Sequence, residues 1–340
     1  MNIFKINNTE FKVSPTKTDK LIIKSHPKEY EVIFDSFFSI FTENDVVLID
    51  KTVQKLYGIN HTKLISIDAK EENKSIDTVL NICDKLLSFG FDKGNNLIVI
   101  GGGIIQDIGA FTAKMYKRGI NWTYVPTTLL SQCDSCIGGK TALNFKNYKN
   151  QLALFSAPNK VIIDTNFLTT LKEEDIISGY GEIIKLFLIG GEYYTNNIKE
   201  FDLKTSIFHS LSIKKAVIEQ DEFESDERKA MNYGHSFGHA IEAVSGYKIP
   251  HGEAVLLGIE IINKLFTNSN EITKIVNNFT NLNKIKDIKI KDILEAVKTD
   301  KKVINEIISL VVLQTPGNTL FHKQKIDNNL GDKLHEIFTD

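Results

Sequence analysis

The 340 residues give roughly two domains' worth of chain, with ample length for a sizeable core. Lys and Arg total 41 against 43 acidic residues, and 42% of positions are hydrophobic and 25% charged, so composition describes an ordinary globular protein with no general pull toward nucleic acid or membrane. No apolar run reaches the roughly 18 residues of a spanning helix, and the polar opening MNIFKINNTEFKVSPTKTDK lacks the apolar stretch of a signal peptide, so a cytoplasmic location is expected.

Short β-rich runs come first: LIIK at 21–24, EYEVIF at 29–34 and VVLID at 46–50, the last ending on Asp50 before a helix-like segment from Lys51. A strand KLISI at 63–67 precedes an amphipathic helix from about Ser75 to Phe89. NLIVIGGG is a buried strand running into Gly101, Gly102 and Gly103, and IIQDIGAFTAKMYKRG is a helix ending near Gly119. WTYVP at 122–126 leads into TTLLSQCDSCIGGK, and KVIID at 160–164 closes this half. Strands alternating with helices predict a parallel or mixed α/β sheet covered on both faces. The glycine-rich turn is a place where backbone N–H groups can approach a pyrophosphate, or simply a tight strand-to-helix turn. It is not the GxGxxG fingerprint.

From about Asn166 the spacing of apolar residues turns helical and stays so to about Lys301, with one late β-like run, IISLVVLQ, at 307–314. The Asn- and Lys-rich stretch 267–288 is expected to be a surface loop with a short helix. The chain is therefore divided into an α/β domain, 1–165, and a mainly helical domain, 166–340, with a cleft between the halves. Cys83, Cys133 and Cys136 imply no disulfide framework, and the CxxC of the last two, without a second pair, is incidental.

One stretch stands apart, RKAMNYGHSFGHAIEAVSGYKIPHGE from Arg228 to Glu253. It reads as a helix through KAMNYGHSFGHAIEAV, which puts His235 and His239 on one face. A turn around Gly246–Pro250 then presents His251. Two imidazoles and a distant carboxylate make an open catalytic metal site, although a single histidine often serves only a core or cap hydrogen bond.

Taken together, GGGIIQDIGAF, YKRG, VPTTLLSQCDSCIGGKTALN, YKNQLALF, GYGEIIK and RKAMNYGHSFGHAIE…HGE resemble the 3-dehydroquinate synthase family over about residues 45–302. The resemblance implies an α/β nucleotide-binding domain followed by a helical metal-binding domain. It implies a metal, Zn²⁺ or Co²⁺, on Glu182, His235 and His251, with His239 beside it. For NAD⁺ it implies Asp50 on the adenosine ribose, Glu71 and Lys74 nearby, Gly101, Gly102 and Gly103 along the pyrophosphate, and Asp107 toward the nicotinamide. Thr127, Thr128, Lys149 and Thr170 are further cofactor contacts. Asp134 and Lys140 stand where the family joins nicotinamide and substrate.

The implied substrate is 3-deoxy-D-arabino-heptulosonate 7-phosphate, in the shikimate route to aromatic amino acids. Lys214 and Arg228 match the pair on its carboxylate. Lys140, Asn150, Asn232, His239 and Lys301 (of the Asp300-Lys301-Lys302 run) match contacts on its phosphate end. Arg118 matches a residue reaching the phosphate from a neighbouring subunit, which implies a homodimer. Asp134, Lys140, Lys185, Asn232 and His239 form the implied catalytic set. The implied chemistry is a closed redox cycle, in which NAD⁺-dependent oxidation, phosphate elimination, reduction and an intramolecular aldol step give 3-dehydroquinate. Gln106 and Tyr148 depart from the family, which usually has glycine at both places. They leave open a cyclase acting on another heptulose phosphate, such as sedoheptulose 7-phosphate. A metal-dependent polyol dehydrogenase and a non-catalytic scaffold are more distant alternatives.

Overall fold

The computed structural model describes residues 1–26, 28–37, 41–146, 148–300 and 303–339. The chain opens with an antiparallel hairpin, β1 (Asn2–Ile6) and β2 (Thr9–Val13), followed by β3 (Lys20–Ile23), β4 (Tyr30–Ile33) and β5 (Val46–Asp50). Next come α1 (Lys51–Tyr57), β6 (Leu64–Ile67), α2 (Ile76–Ser88), β7 (Asn96–Gly101) and α3 (Gly103–Met115). Then follow β8 (Asn121–Pro126), the hairpin β9 (Lys140–Phe145) and β10 (Tyr148–Phe155), and β11 (Lys160–Ile162). The remainder is α4 (Glu173–Gly190), α5 (Glu192–Asn196), α6 (Leu203–Gln220), α7 (His235–Val244), α8 (His251–Phe266), α9 (Asn270–Asn277) and α10 (Ile290–Lys298), then β12 (Val303–Ile304), β13 (Ile307–Thr315), β14 (Asn318–Lys325) and α11 (Asn328–Thr339).

These elements form two compact units, Thr18–Lys172 and Met1–Lys17 with Glu173–Asp340. In the first, seven strands run in the order β3-β4-β11-β8-β7-β5-β6, parallel except for the β3–β4 pair. A parallel sheet is covered on both faces, which is why β5 and β7 read as unbroken apolar runs rather than alternating ones. Val47, Ile49, Ile98, Ile100, Val125 and Ile162 from four adjacent strands build its core with Phe37 and Phe167. From β5 the chain moves outward to β6, whereas from β7 it moves the other way to β8. The two connections diverge between neighbouring strands, so the crevice of an open α/β sheet lies at the carboxyl ends of β5 and β7. Those ends are Asp50 and Gly101–Gly103.

The other unit is helical, as expected, but carries a five-stranded sheet, β12-β13-β14-β1-β2. Here the structure corrects the sequence reading. Residues 1–17, assigned above to the nucleotide-binding half, pair with the far end of the chain through parallel β1 and β14. Asn2 Nδ2 also donates to Gly190 O (2.6 Å) and Thr9 Oγ1 to Glu227 Oε1 (2.7 Å). The run at 307–314 is β13, one arm of a hairpin whose second arm, β14, alternates too weakly to be read alone. Among the described residues no helix is long and apolar enough to cross a membrane.

A buried histidine reports on this unit. His209, on α6, is enclosed by Tyr193, Tyr194, Phe201 and Phe208. Burial, with a contribution from Lys17, brings its pKa down to about 4. The fold therefore favours the neutral ring, and the stability this provides is present above the unfolded value and lost as pH falls from about 6.5 to about 4. Thermal unfolding of His209→Phe should show a flatter loss of Tm over that window than the parent, by several degrees. Parallel curves would show that the ring's titration does not matter.

Candidate active site: a carboxylate–histidine centre and a glycine-lined nucleotide turn

Three helices meet where the metal ligands are expected. Gly181 of α4 and Gly252 of α8 touch main chain to main chain: a Cβ built on Gly181 falls 2.1 Å from Gly252 O, and one on Gly252 falls 1.9 Å from Ser178 O. On the other side of α8, a Cβ on Gly258 falls 2.1 Å from Gly234 O. No larger residue fits these crossings, and each glycine stands beside or near a ligand, Gly181 next to Glu182, Gly252 next to His251 and Gly234 next to His235. Gly234, at φ +79°, also stops the preceding Glu227–Asn232 turn from running into α7. The helix therefore starts at His235 rather than near Lys229 as the sequence pattern suggested.

The resulting geometry suits a small cation. Glu182 Oε1 lies 3.5 Å from His235 Nε2 and 3.3 Å from His251 Nε2. Donors bound at about 2.0–2.2 Å to a tetrahedral ion stand roughly 3.3–3.5 Å apart, so these three atoms match edges of such a coordination shell. The ligand atoms of His235, His239 and His251 all lie within 4.8 Å of one another, with His239 the exposed member. His235 Nδ1 is 3.1 Å from Tyr233 O, and His251 Nδ1 is 3.0 Å from Glu242 Oε2. Each outer nitrogen can thus donate to an oxygen, which leaves Nε2 as the lone-pair donor facing Glu182. Lys185, one turn along α4, pairs with Glu182 Oε2, and both side chains are 1% exposed. Burial opposes charge on His251, but its hydrogen bonds to Glu182 and Glu242 prevail and push its pKa up to about 10. A cation arriving here displaces a proton.

The same unit holds Lys214 in α6 and Arg228 and Asn232 in the Glu227–Asn232 turn, with Lys214 and Arg228 both buried. Lys214 stands in the second half of α6 and Arg228 in the turn that follows it, so both cations belong to one stretch of chain. Asn232 Nδ2 donates to Glu224 Oε1 at 2.7 Å. Lys301 lies outside the described residues.

In the Thr18–Lys172 unit, Asp50 caps α1, its Oδ1 accepting from Thr52 N at 2.8 Å, and burial raises its pKa. Gly101 and Gly102 are pressed against Ile105 and Thr128, whereas a Cβ on Gly103 would meet nothing within 4 Å. The start of α3 is therefore open to a ligand at Gly103, and an exposed helix N-terminus favours phosphate. Thr127 N donates to Gly101 O at 3.1 Å, which ties β8 to this turn. The Thr128 hydroxyl is engaged by Ser131, 2.8 Å from Oγ, where it starts the helical turn Ser131–Ser135 that carries Asp134. Thr170 Oγ1 meets Tyr57 OH at 2.9 Å.

Lys74 does not form an exposed pair with Glu71. It is buried and binds Asp107 Oδ2 at 2.6 Å and Asn150 Oδ1 at 2.7 Å, while Glu71 Oε1 accepts from Asn144 Nδ2 at 2.8 Å. Asn150, at φ +56°, draws its own N–H onto Asn144 Oδ1 at 3.0 Å. Asn144 is thus a link that no sequence signal revealed. Burial pushes the Asp107 carboxyl up, against the pull of Lys74. Lys140 and Lys149 are exposed on the β9–β10 hairpin, and Tyr148 is exposed at its tip. Arg118 is exposed at φ +64°, after Lys117 at φ +49°. Gln106 does not project into the glycine turn. Its Nε2 donates to Ser135 O and its Oε1 accepts from Ser135 Oγ, both at 2.7 Å.

A glycine-turned α/β sheet joined in one chain to a helical carboxylate–histidine centre is the architecture of the sugar-phosphate cyclases. The crystal structure of 2-deoxy-scyllo-inosose synthase complexed with carbaglucose-6-phosphate, NAD⁺ and Co²⁺ shares this fold, with a TM-score of 0.79 at 21% identity over 93% of this chain and 99% of that one. Residues 64–178 match the 3-dehydroquinate synthase N-terminal family model and residues 179–303 the C-terminal one. The 3-dehydroquinate synthase of Pelagibacter ubique is 37% identical over 322 residues, 87% of each chain, and that of Pyrococcus abyssi 40% over 265 residues, 75% of this chain and 79% of that one. The chain belongs to the 3-dehydroquinate synthase family.

Two substitutions test the geometry. Gly181→Ala should force α4 away from α8, weaken metal affinity at least about tenfold in chelator competition and cost about 3 kcal/mol of stability. Unchanged affinity would mean the crossing does not set the centre. Gln106→Ala and Ser135→Ala should each cost about 1–2 kcal/mol in denaturant unfolding, with the double variant scarcely worse than either. Additive losses would show that the pair is not coupled.

Proposed function

We propose that this chain is a 3-dehydroquinate synthase, converting 3-deoxy-D-arabino-heptulosonate 7-phosphate into 3-dehydroquinate and phosphate in the shikimate route. The observation that carries the reading is the Glu182–His235–His251 centre held next to a helix and turn that bury Lys214 and Arg228. A metal-bound polyol dehydrogenase has no substrate carboxylate for Lys214 and Arg228 to bind, and neither has a cyclase acting on a sugar phosphate without one.

Bound NAD⁺ supplies a hydride acceptor that is regenerated within one turnover, and a bound Zn²⁺ or Co²⁺ supplies a Lewis acid for substrate hydroxyls. Glu182, His235 and His251 hold the ion, and Lys185 balances the Glu182 charge in a site too buried for water to do so. Arg228 and Lys214 grip the carboxylate and fix the ring's orientation. His239, exposed beside the ligand histidines, and Asn232 act on the phosphate end, where a neutral imidazole can hold or pass a proton. In the Thr18–Lys172 unit, Asp50 binds the adenosine ribose and Gly101–Gly103 the pyrophosphate. Glu71, Lys74, Asp107, Thr127, Thr128, Lys149 and Thr170 shape the rest of the cofactor site. Asp134 and Lys140 serve the nicotinamide side, and Asn150 the phosphate. The protein works as a cytoplasmic homodimer in which the exposed Arg118 of each copy serves the other, a reading consistent with three cysteines that are all free thiols.

Purified protein with NAD⁺ and Zn²⁺ or Co²⁺ should release phosphate from 3-deoxy-D-arabino-heptulosonate 7-phosphate, with 3-dehydroquinate as product and no net NADH. Arg228→Ala should lower kcat/KM by about 100-fold. Turnover of sedoheptulose 7-phosphate instead would overturn the substrate, and net NADH would overturn the closed cycle.

A further inference from the structure

We propose that Asp221 is a positioning residue that sets the Arg228 guanidinium for its anion, acting through the turn between them. The inference rests on the proposed carboxylate role of Arg228. Asp221 is the first residue after α6, and its carboxylate collects the donors of the next seven residues. Oδ1 accepts from Ser225 N at 2.8 Å and Ser225 Oγ at 2.9 Å, while Oδ2 accepts from Asp226 N at 2.8 Å and Arg228 N at 3.0 Å. Burial works against the charge, yet the N–H groups of Asp226, Ser225 and Arg228 hold the pKa down at about 2, so the carboxylate is ionised at every working pH. Three main-chain donors converging on one anion fix the turn in a single conformation.

That turn carries strain of its own, although Asn232 Nδ2 and Thr9 Oγ1 also hold its Glu224 and Glu227 carboxylates. Glu224 sits at φ +61°, a conformation that costs a non-glycine residue about 1 kcal/mol or more, and the segment has no apolar anchor but Phe223, which is exposed. Within the ring closed by Asp221, Arg228 Nη1 donates to Glu222 O, the carbonyl directly after Asp221. The arginine is therefore held twice: its main chain by Asp221 and one edge of its fork by the neighbouring carbonyl. Because Arg228 is 2% exposed and planar, small shifts of the turn become misalignment at the fork.

Asp221→Asn keeps the shape but must turn an NH₂ group toward either the Ser225 or the Asp226–Arg228 donors. The chain has only two arginines, Arg118 and Arg228, so side-chain ¹⁵N spectra of the full protein are expected to contain one rapidly and one slowly exchanging Nε–H. In Asp221→Asn the slow signal should become fast while the other stays put, whatever the substrate. With NAD⁺ and metal present, KM for 3-deoxy-D-arabino-heptulosonate 7-phosphate should rise about tenfold with NAD⁺ and metal affinities unchanged, and in an Arg228→Ala background the same change should add less than about twofold. An unmoved arginine signal, or an effect that adds in full to Arg228→Ala, would overturn the proposal. If Asp221→Asn does not fold, Ser225→Ala removes one of the four bonds and should shift signal and KM in the same direction, about threefold in KM. No shift of either there would also overturn it. A parent protein that leaves this substrate untouched would sink the functional reading alone, since the arginine signal still decides what Asp221 does.

Discussion

Everything chemical in the helical unit depends on how closely three helices can approach. Side chains at a helix crossing normally keep axes about 8–10 Å apart. The glycine contacts Gly181–Gly252 and Gly234–Gly258 let main chain touch main chain, and only this proximity brings a short Glu182 side chain to 3.3 Å of His251 while His235 reaches the same oxygen from a third helix. A centre built this way is preorganised by backbone packing rather than by the ligands themselves. It can present donors at coordination distance before an ion binds, which lowers the reorganisation a cation would otherwise require.

Close packing brings a second constraint, because it buries charge. The answer is the same each time: a buried ion is given a specific partner from its own neighbourhood. Glu182 has Lys185 three residues away, Lys74 has Asp107, and Asp221 has a nest of N–H groups. Removing one member of such a pair leaves an uncompensated charge, so these positions resist substitution even where they touch no ligand. Basic residues are almost all lysine in this chain, and the two arginines stand alone at Arg118 and Arg228. A composition so biased toward lysine makes each arginine informative, since only its planar fork binds a carboxylate or phosphate by two parallel bonds.

Much of this was legible in the sequence, and the reasons are local. His235 and His239 share a face because a helix repeats every 3.6 residues, and Asp50 and Gly101–Gly103 fall at strand ends because apolar runs stop there. What the sequence hid is non-local. Nothing in NIFKI and TEFKV says that the first of them pairs with a strand some 300 residues on, and the sheet they complete moves the first seventeen residues out of the nucleotide-binding unit. Lys74 and Glu71 are neighbours in sequence, but only the approach of α3 and the β9–β10 hairpin gives Lys74 its partners Asp107 and Asn150. The helix boundary at His235 was missed because apolar periodicity runs on through Met231 and Tyr233, whereas one left-handed glycine breaks the backbone between them and α7.

The departure at Gln106 shows how a local rule can fail without a change of function. A side chain where the family usually has glycine, at the first turn of α3, together with Tyr148, left open a different substrate. The amide is instead turned onto Ser135, satisfying both of its polar ends, and Gly103 remains open. What differs is therefore how the Asp134-bearing turn is held: by a side-chain clasp in addition to the Thr128–Ser131 contact. A clasp of this kind stiffens the loop that carries Asp134. In the proposed reading, substrate choice rests with the groups that would meet a carboxylate, Lys214 in α6 and Arg228 in the turn after it, and both belong to the other unit.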